Sequence, residues 1–214
     1  MPLLFVDLDN TLIDRDAAFR SAMAAFLAEH GLPDDELAWI MSIDGDGYTT
    51  RSIVARAMTH RYRNDVPPAA VQDVLDRGAA DRVTLADPVR TALVEAARAG
   101  WSALVVTNGR TLQQTRKIRR TGLDALVDGW TVSETVGHEK PSPDIFHAAA
   151  AGRPLRQAWI VGDGIHTDIA GAAALGLRSV WLARGRTWQE QGYAPTHVME
   201  DVVAALEHVV DVGW

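Results

Sequence analysis

Apolar residues lead directly into two aspartates at residues 3–11, Leu3-Leu4-Phe5-Val6-Asp7-Leu8-Asp9-Asn10-Thr11. A short apolar run is typical of a buried strand, and residues two apart on a strand point to the same face. Because two close carboxylates repel each other, a fold that pairs them usually recruits a cation or uses them as acid and base. The alternative interpretation is a solvated strand end, since aspartate is also common in turns.

Composition restricts the classes of protein that remain. The chain has 214 residues, which suits one large domain or a core with a small second unit. Its net charge of -7 argues against non-specific binding to nucleic acid or to an anionic membrane. The absence of cysteine excludes disulfides, thiolate catalysis and Cys-ligated zinc. Since no apolar run approaches a membrane span and no signal-like segment is evident, we expect a cytoplasmic protein.

Apolar runs alternate with helical patterns along most of the chain, which favours an α/β fold with a parallel sheet. The predicted strands carry few charges, as expected for strands covered on both faces, and lie at residues 3–7, 102–107, 159–162 and 179–182, with a shorter candidate at 125–127. Helical patterns lie between them at residues 88–99, 110–120, 143–150 and 167–175.

Residues 14–87 interrupt this alternation, because they contain helical patterns and no convincing strand. The chain is therefore predicted to form a core from residues 1–13 and 88–214, with residues 14–87 as a helical insert after the first strand. A helical insert beside strand-end carboxylates favours a lid over a site. A purely structural subdomain is the alternative.

Further polar groups follow later predicted strands. Thr107-Asn108-Gly109 leads from a strand into a helix, and ligands bind beyond the carboxyl ends of strands in open parallel sheets. These residues suit a phosphate oxygen at a helix N-terminus, although they also form ordinary turns. Lys140 lies just before another predicted helix start, where its charge would neutralise a phosphate and nearby carboxylates. A surface lysine is the alternative.

Asp163 and Asp168 straddle a strand-to-helix turn. Carboxylate oxygens of this kind are hard ligands that suit Mg²⁺. Asp168 is alternatively a first-turn helix residue that interacts favourably with the helix dipole. Together with Asp7 and Asp9, these residues predict a carboxylate-rich site at one edge of the sheet.

In this order, the four groups resemble the motifs of the haloacid dehalogenase-like (HAD) hydrolase superfamily, phosphatase branch. The matching residues are Asp7-Leu8-Asp9-Asn10-Thr11, Thr107-Asn108, Lys140-Pro141 and Gly162-Asp163-Gly164-Ile165-His166-Thr167-Asp168. The resemblance implies a Rossmann-like parallel-sheet core, and residues 14–87 look like the C1-type helical cap that follows the first strand. Asn10 stands where the family more commonly has glycine.

The resemblance also implies roles for the motif residues. Asp7 would be the nucleophile that forms an aspartyl-phosphate, and Asp9 would protonate the leaving alcohol and then deprotonate the attacking water. Mg²⁺ would be held by the Asp7 carboxylate, the Asp9 main-chain carbonyl and Asp163. The dehalogenating branch lacks the second aspartate of the first motif, so Asp9 favours phosphoryl transfer.

The remaining motif residues would surround the transferring phosphoryl group. Thr107, Asn108 and Lys140 would bind it and stabilise its charge, and Asp168 would lie beside Lys140 or the waters of the metal.

In the insert, Arg51 is our candidate for contacting an anionic part of the substrate. A helix-start arginine in solvent is the alternative.

The predicted function is therefore a Mg²⁺-dependent phosphatase acting on a small phosphorylated metabolite. One alternative is a phosphosugar mutase of the same family, similar to β-phosphoglucomutase, which would share the core residues. Another is a non-catalytic phosphoacceptor or signalling domain, such as a receiver domain. Receivers are shorter, however, and their phosphoacceptor follows an interior strand rather than the first. The oligomeric state is not readable from the sequence.

Overall fold

A computed structural model describes residues 1–213 of the chain, so Trp214, the last residue of the predicted core, lies outside the described residues. The chain divides into two compact units. One consists of Met1–Ile13 together with the chain from Thr84 onward, and the other is Asp14–Val83. The predicted insert was 14–87, so residues 84–87 belong instead with the first unit.

The first unit is built on a parallel sheet of six strands, ordered β3-β2-β1-β4-β5-β6. The strands are β1 (Leu3–Val6), β2 (Ser102–Thr107), β3 (Gly129–Val132), β4 (Trp159–Gly162), β5 (Arg178–Leu182) and β6 (His197–Met199). Strand β1 lies between β2 and β4, with Val6 paired to Val105 on one side and to Val161 on the other. Every residue of β1, β2 and β4 is buried, which agrees with their continuous apolar sequences. The predicted α/β class and parallel sheet are confirmed.

The short strand predicted at residues 125–127 is wrong. The chain forms a 3₁₀ turn over Leu123–Ala125, and the amides of Leu126 and Val127 both donate to the carbonyl of Leu123. Backbone groups bonded within a turn cannot also join a strand ladder. The strand at this sheet edge is β3, which begins at Gly129.

The second unit is helical, and residues 14–83 contain no strand. Its helices are α1 (Arg15–Glu29), α2 (Glu36–Asp44), α3 (Arg51–Arg61) and α4 (Pro68–Arg77). The carboxylate of Asp14 accepts a hydrogen bond from the amide of Ala17 and so caps α1. Pro68 occupies the first turn of α4, where its missing amide hydrogen costs nothing.

The remaining helices cover the sheet. They are α5 (Asp87–Arg98), α6 (Thr111–Thr121), α7 (Ser133–Val136), α8 (Pro143–Ala150), α9 (Ala170–Leu175) and α10 (Val202–Val212), with a π-helical turn at Ile165–Ile169 before α9. On one face, Phe146 of α8 packs edge-on against Phe5 of β1 at 5.6 Å between ring centroids. Among the described residues, no helix has both the length and the apolar character needed to cross a membrane.

Candidate active site

Three carboxylates meet at the carboxyl ends of β1 and β4. Asp7 follows β1 directly and Asp163 follows β4 directly, while Asp168 lies in the π-helical turn. All three are buried, and one oxygen from each lies within 4.8 Å of the other two. The main-chain amide of Asp7 donates to the carbonyl of Val161 at 2.9 Å, which fixes the nucleophile candidate against β4.

Lys140 lies among these carboxylates. Its ammonium nitrogen lies 2.6 Å from an oxygen of Asp7, 2.7 Å from an oxygen of Asp168 and 2.8 Å from the carbonyl of Val106. All three ammonium hydrogens therefore have an acceptor. Burial lowers the pKa of Lys140, but Asp168 and Asp7 together outweigh burial and hold the pKa above its ordinary value. The surface position considered for this lysine is wrong, since its side chain is only 3% exposed.

Burial and mutual repulsion oppose ionisation of the clustered carboxylates. Burial raises the pKa of Asp7 to about 8, and the nearby Asp168 and Asp163 add to the rise while Lys140 opposes it. Burial and Asp168 raise the pKa of Asp163 to about 7, although Arg186 and two further cations oppose them. Removal from water disfavours the charged form of both acids. A further positive charge beside the cluster would favour the ionised forms of both acids.

A divalent metal ion would supply such a charge. Carboxylate oxygens are the ligands that Mg²⁺ prefers, and Mg²⁺ usually binds one or two carboxylates of a protein. The buried group here contains three carboxylates. The guanidinium of Arg186 already contacts this group, at 2.8 Å from the main-chain oxygen of Asp163 and 3.2 Å from its carboxylate. The donor set is thus suited to a hard cation, and Asp7, Asp163 and Asp168 are the carboxylates close enough together to hold one.

Two glycines allow Asp168 to fold back toward the strand. A Cβ on Gly162 would lie 2.4 Å from the Asp168 carboxylate, and one on Gly164 would lie 2.8 Å from the same group. The amide of Gly164 instead donates to Asp168 at 3.1 Å. Any larger side chain at these positions would therefore push Asp168 away from Lys140.

The residues at the carboxyl end of β2 make contacts that the sequence did not predict. The side-chain oxygen of Asn108 accepts from the amide of Lys140 at 2.8 Å, and its side-chain nitrogen donates to the Lys140 carbonyl at 3.0 Å. The hydroxyl of Thr107 accepts from the side chain of Gln114 at 2.6 Å. Both residues thus lie at the predicted sheet edge, and their contact with a phosphoryl group stays a prediction.

The Asp9 carboxylate lies against helix α6 rather than among the three clustered carboxylates. It is bound by the ammonium of Lys117 at 2.6 and 2.8 Å and by the amide nitrogen of Gln114 at 3.0 Å. The sequence motifs did not identify either of these α6 residues as part of the site. One signal was present: the chain has 21 lysine and arginine residues, of which Lys117 and Lys140 are the only lysines.

Asn10 adopts a left-handed backbone, with φ of +59°. Glycine enters this region freely, and asparagine enters it more readily than most other residues. The backbone therefore explains why asparagine serves at a position where the family more commonly has glycine.

Arg51 lies in the second unit, at the start of α3. Its guanidinium bonds the buried Asp44 carboxylate at 2.8 Å and lies over the ring of Phe19 at 4.9 Å. The same carboxylate accepts from Arg15 and from the amide of Gly47. With 20% of its side chain exposed, Arg51 is mostly engaged within its own unit, and its contact with a substrate stays a prediction.

The fold and these residues define a class of protein: an α/β enzyme with buried carboxylates and a lysine at the carboxyl edge of a parallel sheet. A family model described as haloacid dehalogenase-like hydrolase matches residues 3–182, and the chain belongs to that family. The predicted family is thereby confirmed, and the names of curated relatives, which describe phosphatases, confirm the predicted phosphatase branch and the predicted class of enzyme, a phosphoric monoester hydrolase.

Individual relatives agree with this assignment. The chain is 37% identical over 112 residues to pyrimidine 5'-nucleotidase YjjG of Escherichia coli, a match that covers 51% of this chain and 50% of that protein. It is 27% identical over 197 residues to glyceraldehyde 3-phosphate phosphatase of Pyrococcus abyssi, covering 86% and 82% respectively. The solved structure of HAD-hydrolase YfnB of Bacillus subtilis, bound to magnesium, has a TM-score of 0.81 at 22% identity, covering 98% of each chain.

Proposed function

We propose that this hydrolase is a Mg²⁺-dependent phosphatase that cleaves a small phosphate monoester through an aspartyl-phosphate on Asp7. The observation that carries the proposal is the Asp7 carboxylate at the end of the central strand, 2.6 Å from the Lys140 ammonium. An anionic nucleophile approaches an anionic phosphate only where positive charge offsets their repulsion. Lys140 supplies one such charge, and the carboxylates beside Asp7 offer ligands for another.

The chemistry then divides between the two aspartates of the first motif. An oxygen of Asp7 bonds to phosphorus as the bond to the leaving oxygen breaks, and Asp9 delivers a proton to that oxygen. In the second step, water attacks phosphorus, Asp9 accepts a proton from it, and the bond from phosphorus to Asp7 breaks. The products are an alcohol and inorganic phosphate.

The remaining residues orient the phosphoryl group and balance its charge. Thr107 and Lys140 bind its oxygens, and Asn108 contacts it through the main chain because its side chain holds Lys140. Asp7, Asp163 and the main-chain carbonyl of Asp9 would hold Mg²⁺, which when bound acts as a Lewis acid on a phosphoryl oxygen. Asp168 keeps the Lys140 ammonium directed at Asp7.

The substrate is proposed to be a small phosphorylated metabolite. The names of the relatives from P. abyssi and E. coli describe phosphatases of a triose phosphate and of pyrimidine nucleotides, which are both phosphate monoesters of small molecules. The cytoplasmic location and the absence of nucleic-acid and membrane partners, predicted from the sequence, belong to the same proposal.

A panel of phosphate monoesters, incubated with the protein and Mg²⁺, tests this function by release of inorganic phosphate. We expect release from at least one member of the panel, and a covalent phosphoryl label on acid-quenched protein. Asp7→Asn should abolish both signals, while Asp128→Asn, which changes an exposed aspartate of the same unit, should leave both intact. Conversion of a sugar phosphate without phosphate release would identify a mutase instead.

A further inference from the structure

Two side chains of α6 hold the Asp9 carboxylate, and neither belongs to the motifs discussed above. The Lys117 ammonium lies 2.8 Å from Oδ1 and 2.6 Å from Oδ2 of Asp9, and the Gln114 amide lies 3.0 Å from Oδ2. The Lys117 side chain is 3% exposed, while that of Asp9 is 27% exposed. The two α6 groups therefore approach Asp9 from the protein interior and leave part of its carboxylate accessible.

Gln114 also connects Asp9 to the carboxyl end of β2. Its amide nitrogen lies 2.6 Å from the hydroxyl of Thr107, so a single side chain contacts both positions. Gly109 makes room for this arrangement, since a Cβ there would lie 3.3 Å from Cγ of Gln114. The orientation of the Asp9 carboxylate is thus linked to the place where the phosphoryl group is proposed to bind.

The choice of lysine at position 117 is itself informative. Helix α6 also carries Arg116, Arg119 and Arg120, and arginine supplies every positive side chain of the protein except Lys117 and Lys140. Lysine offers a compact charge whose single nitrogen can contact both oxygens of one carboxylate. Each of the two lysines contacts one aspartate of the first motif.

Stability alone does not account for this ion pair. Burying an ammonium costs free energy that its partner offsets only in part, and apolar residues often replace such pairs without loss of stability. Asp9 is accessible enough to be hydrated without help from Lys117. A role in the chemistry of Asp9 explains why a buried cation is kept at this position.

We propose that Lys117, assisted by Gln114, is a positioning residue that holds Asp9 where it exchanges a proton first with the leaving oxygen and then with water. This inference rests on the proposed phosphatase function. Lys117 contacts the Asp9 carboxylate, and in this proposal it acts on the reaction through that residue. Its removal should therefore slow the steps that need Asp9 and spare substrate binding.

The first test uses p-nitrophenyl phosphate, whose leaving group departs without protonation. Lys117→Met should lower kcat by about 10- to 100-fold, part of the 10²–10⁴-fold that general acid–base catalysis typically contributes, and should leave kcat/KM for this ester nearly unchanged, because kcat/KM reports only binding and formation of the phospho-enzyme. Rapid mixing should show a normal burst of p-nitrophenol, equal to the enzyme concentration, followed by slow hydrolysis of the phospho-enzyme. With an alkyl phosphate, which needs protonation to leave, the burst phase should be slow as well.

Three further variants isolate the role of Lys117. Arg119→Met removes an exposed charge from the same helix and should match the wild type. Gln114→Leu keeps the ion pair and should reproduce a weaker form of the Lys117→Met defect, which guards against a folding failure of the lysine variant. In an Asp9→Asn background, Lys117→Met should cause no further loss, because the residue it positions is already inactive.

The outcomes separate this inference from the proposed function. If the wild-type protein releases no phosphate from any monoester, the proposed function fails. If the wild type is active but Lys117→Met and Gln114→Leu fold normally and match it in both kinetic phases, the positioning role is wrong. An equal slowing of burst and hydrolysis for the aryl ester, or an added loss in the Asp9→Asn background, also overturns it.

Discussion

The side-chain amide of Asn108 forms two hydrogen bonds with the main chain of Lys140, accepting from its amide at 2.8 Å and donating to its carbonyl at 3.0 Å. These bonds join the loop after β2 to the loop before α8. The ammonium of the same lysine lies 2.6 Å from Asp7. Asn108 therefore fixes the main chain from which the Lys140 ammonium projects toward the clustered carboxylates.

Replacement of Asn108 should displace the Lys140 ammonium from Asp7 although residue 140 itself is unchanged. Asn108→Asp keeps the acceptor for the Lys140 amide but loses the donor to the carbonyl, whereas Asn108→Ala loses both bonds. Each lost bond of this kind costs about 0.5–1.5 kcal/mol. We expect kcat/KM to fall for both variants and further for alanine, measured with the best monoester of the panel. Equal activity of the wild type and Asn108→Ala would show that the two hydrogen bonds from Asn108 do not position Lys140 for catalysis.

Replacement of Gly162 should displace Asp168. An added methyl group at 2.4 Å from the carboxylate cannot be accommodated without movement, and overpacking of this kind costs about 1–3 kcal/mol. We expect Gly162→Ala to lower both the melting temperature and kcat. Gly129→Ala is the matched control, because its methyl group would meet Leu104 at an ordinary 3.6 Å. Similar losses in both variants would show that any strand alanine is disruptive.

Stabilisation by Mg²⁺ should grow with pH. The pKa values of Asp7 and Asp163 rise in the folded, metal-free protein from 3.8 to about 8 and about 7, so these acids favour folding at low pH. Their contribution is lost progressively as pH rises from about 4 toward about 8. A cation binds their ionised forms and reverses the loss, so the melting-temperature increase with Mg²⁺ should be larger at about pH 8 than at about pH 5.5. Asp163→Asn should reduce the increase, and a pH-independent increase would contradict the assignment.

The left-handed backbone at position 10 should decide which residues are tolerated there. Asn10→Gly removes the Cβ and with it the conformational cost, whereas Asn10→Ala keeps the Cβ but loses the polar side chain that eases this conformation, in a region that costs an ordinary residue about 1–2 kcal/mol. Urea unfolding should therefore rank glycine close to asparagine and alanine below both. An equal loss for the two variants would mean that contacts of the Asn10 side chain, rather than its φ angle, set the requirement.

The specificity role predicted for Arg51 can be tested against a closely matched residue. Arg51 and Arg61 begin and end α3, and each pairs with a carboxylate and lies over an aromatic ring. Arg51→Ala should lower kcat/KM for the true substrate more than for p-nitrophenyl phosphate, and Arg61→Ala should change neither. An unchanged specificity constant in Arg51→Ala would contradict the predicted role in specificity, and the contacts with Asp44 and Phe19 would then be structural.

The sequence was most informative where an apolar run ends in polar residues. The strands that precede Asp7, Thr107 and Asp163 were placed to within a residue, because buried parallel strands have continuous apolar sequences. Their carboxyl ends must then meet at one edge. Strands β3 and β6 were missed, since they are edge strands that are only partly buried and lack such a run.

Lys117 and Gln114 could not be predicted from periodicity. The sequence of α6 is almost entirely polar, so it reads as an exposed helix, yet both side chains are buried at the edge of the sheet. Only the packing of α6 beside Asp9 reveals which of its polar residues face inward. The scarcity of lysine was the signal available in advance, and it distinguishes Lys117 from the arginines around it.

Both lysine side chains of the chain are 3% exposed, so a protease that cuts after lysine can reach them only when the protein unfolds locally. A protease that cuts after lysine has one usable position, because Lys140 is followed by proline. Cleavage after Lys117 would need local unfolding of α6, and it would sever Asp7 and Asp9 from Lys140 and Asp163. The rate at which such a protease divides the chain would therefore measure how often the helix beside Asp9 opens.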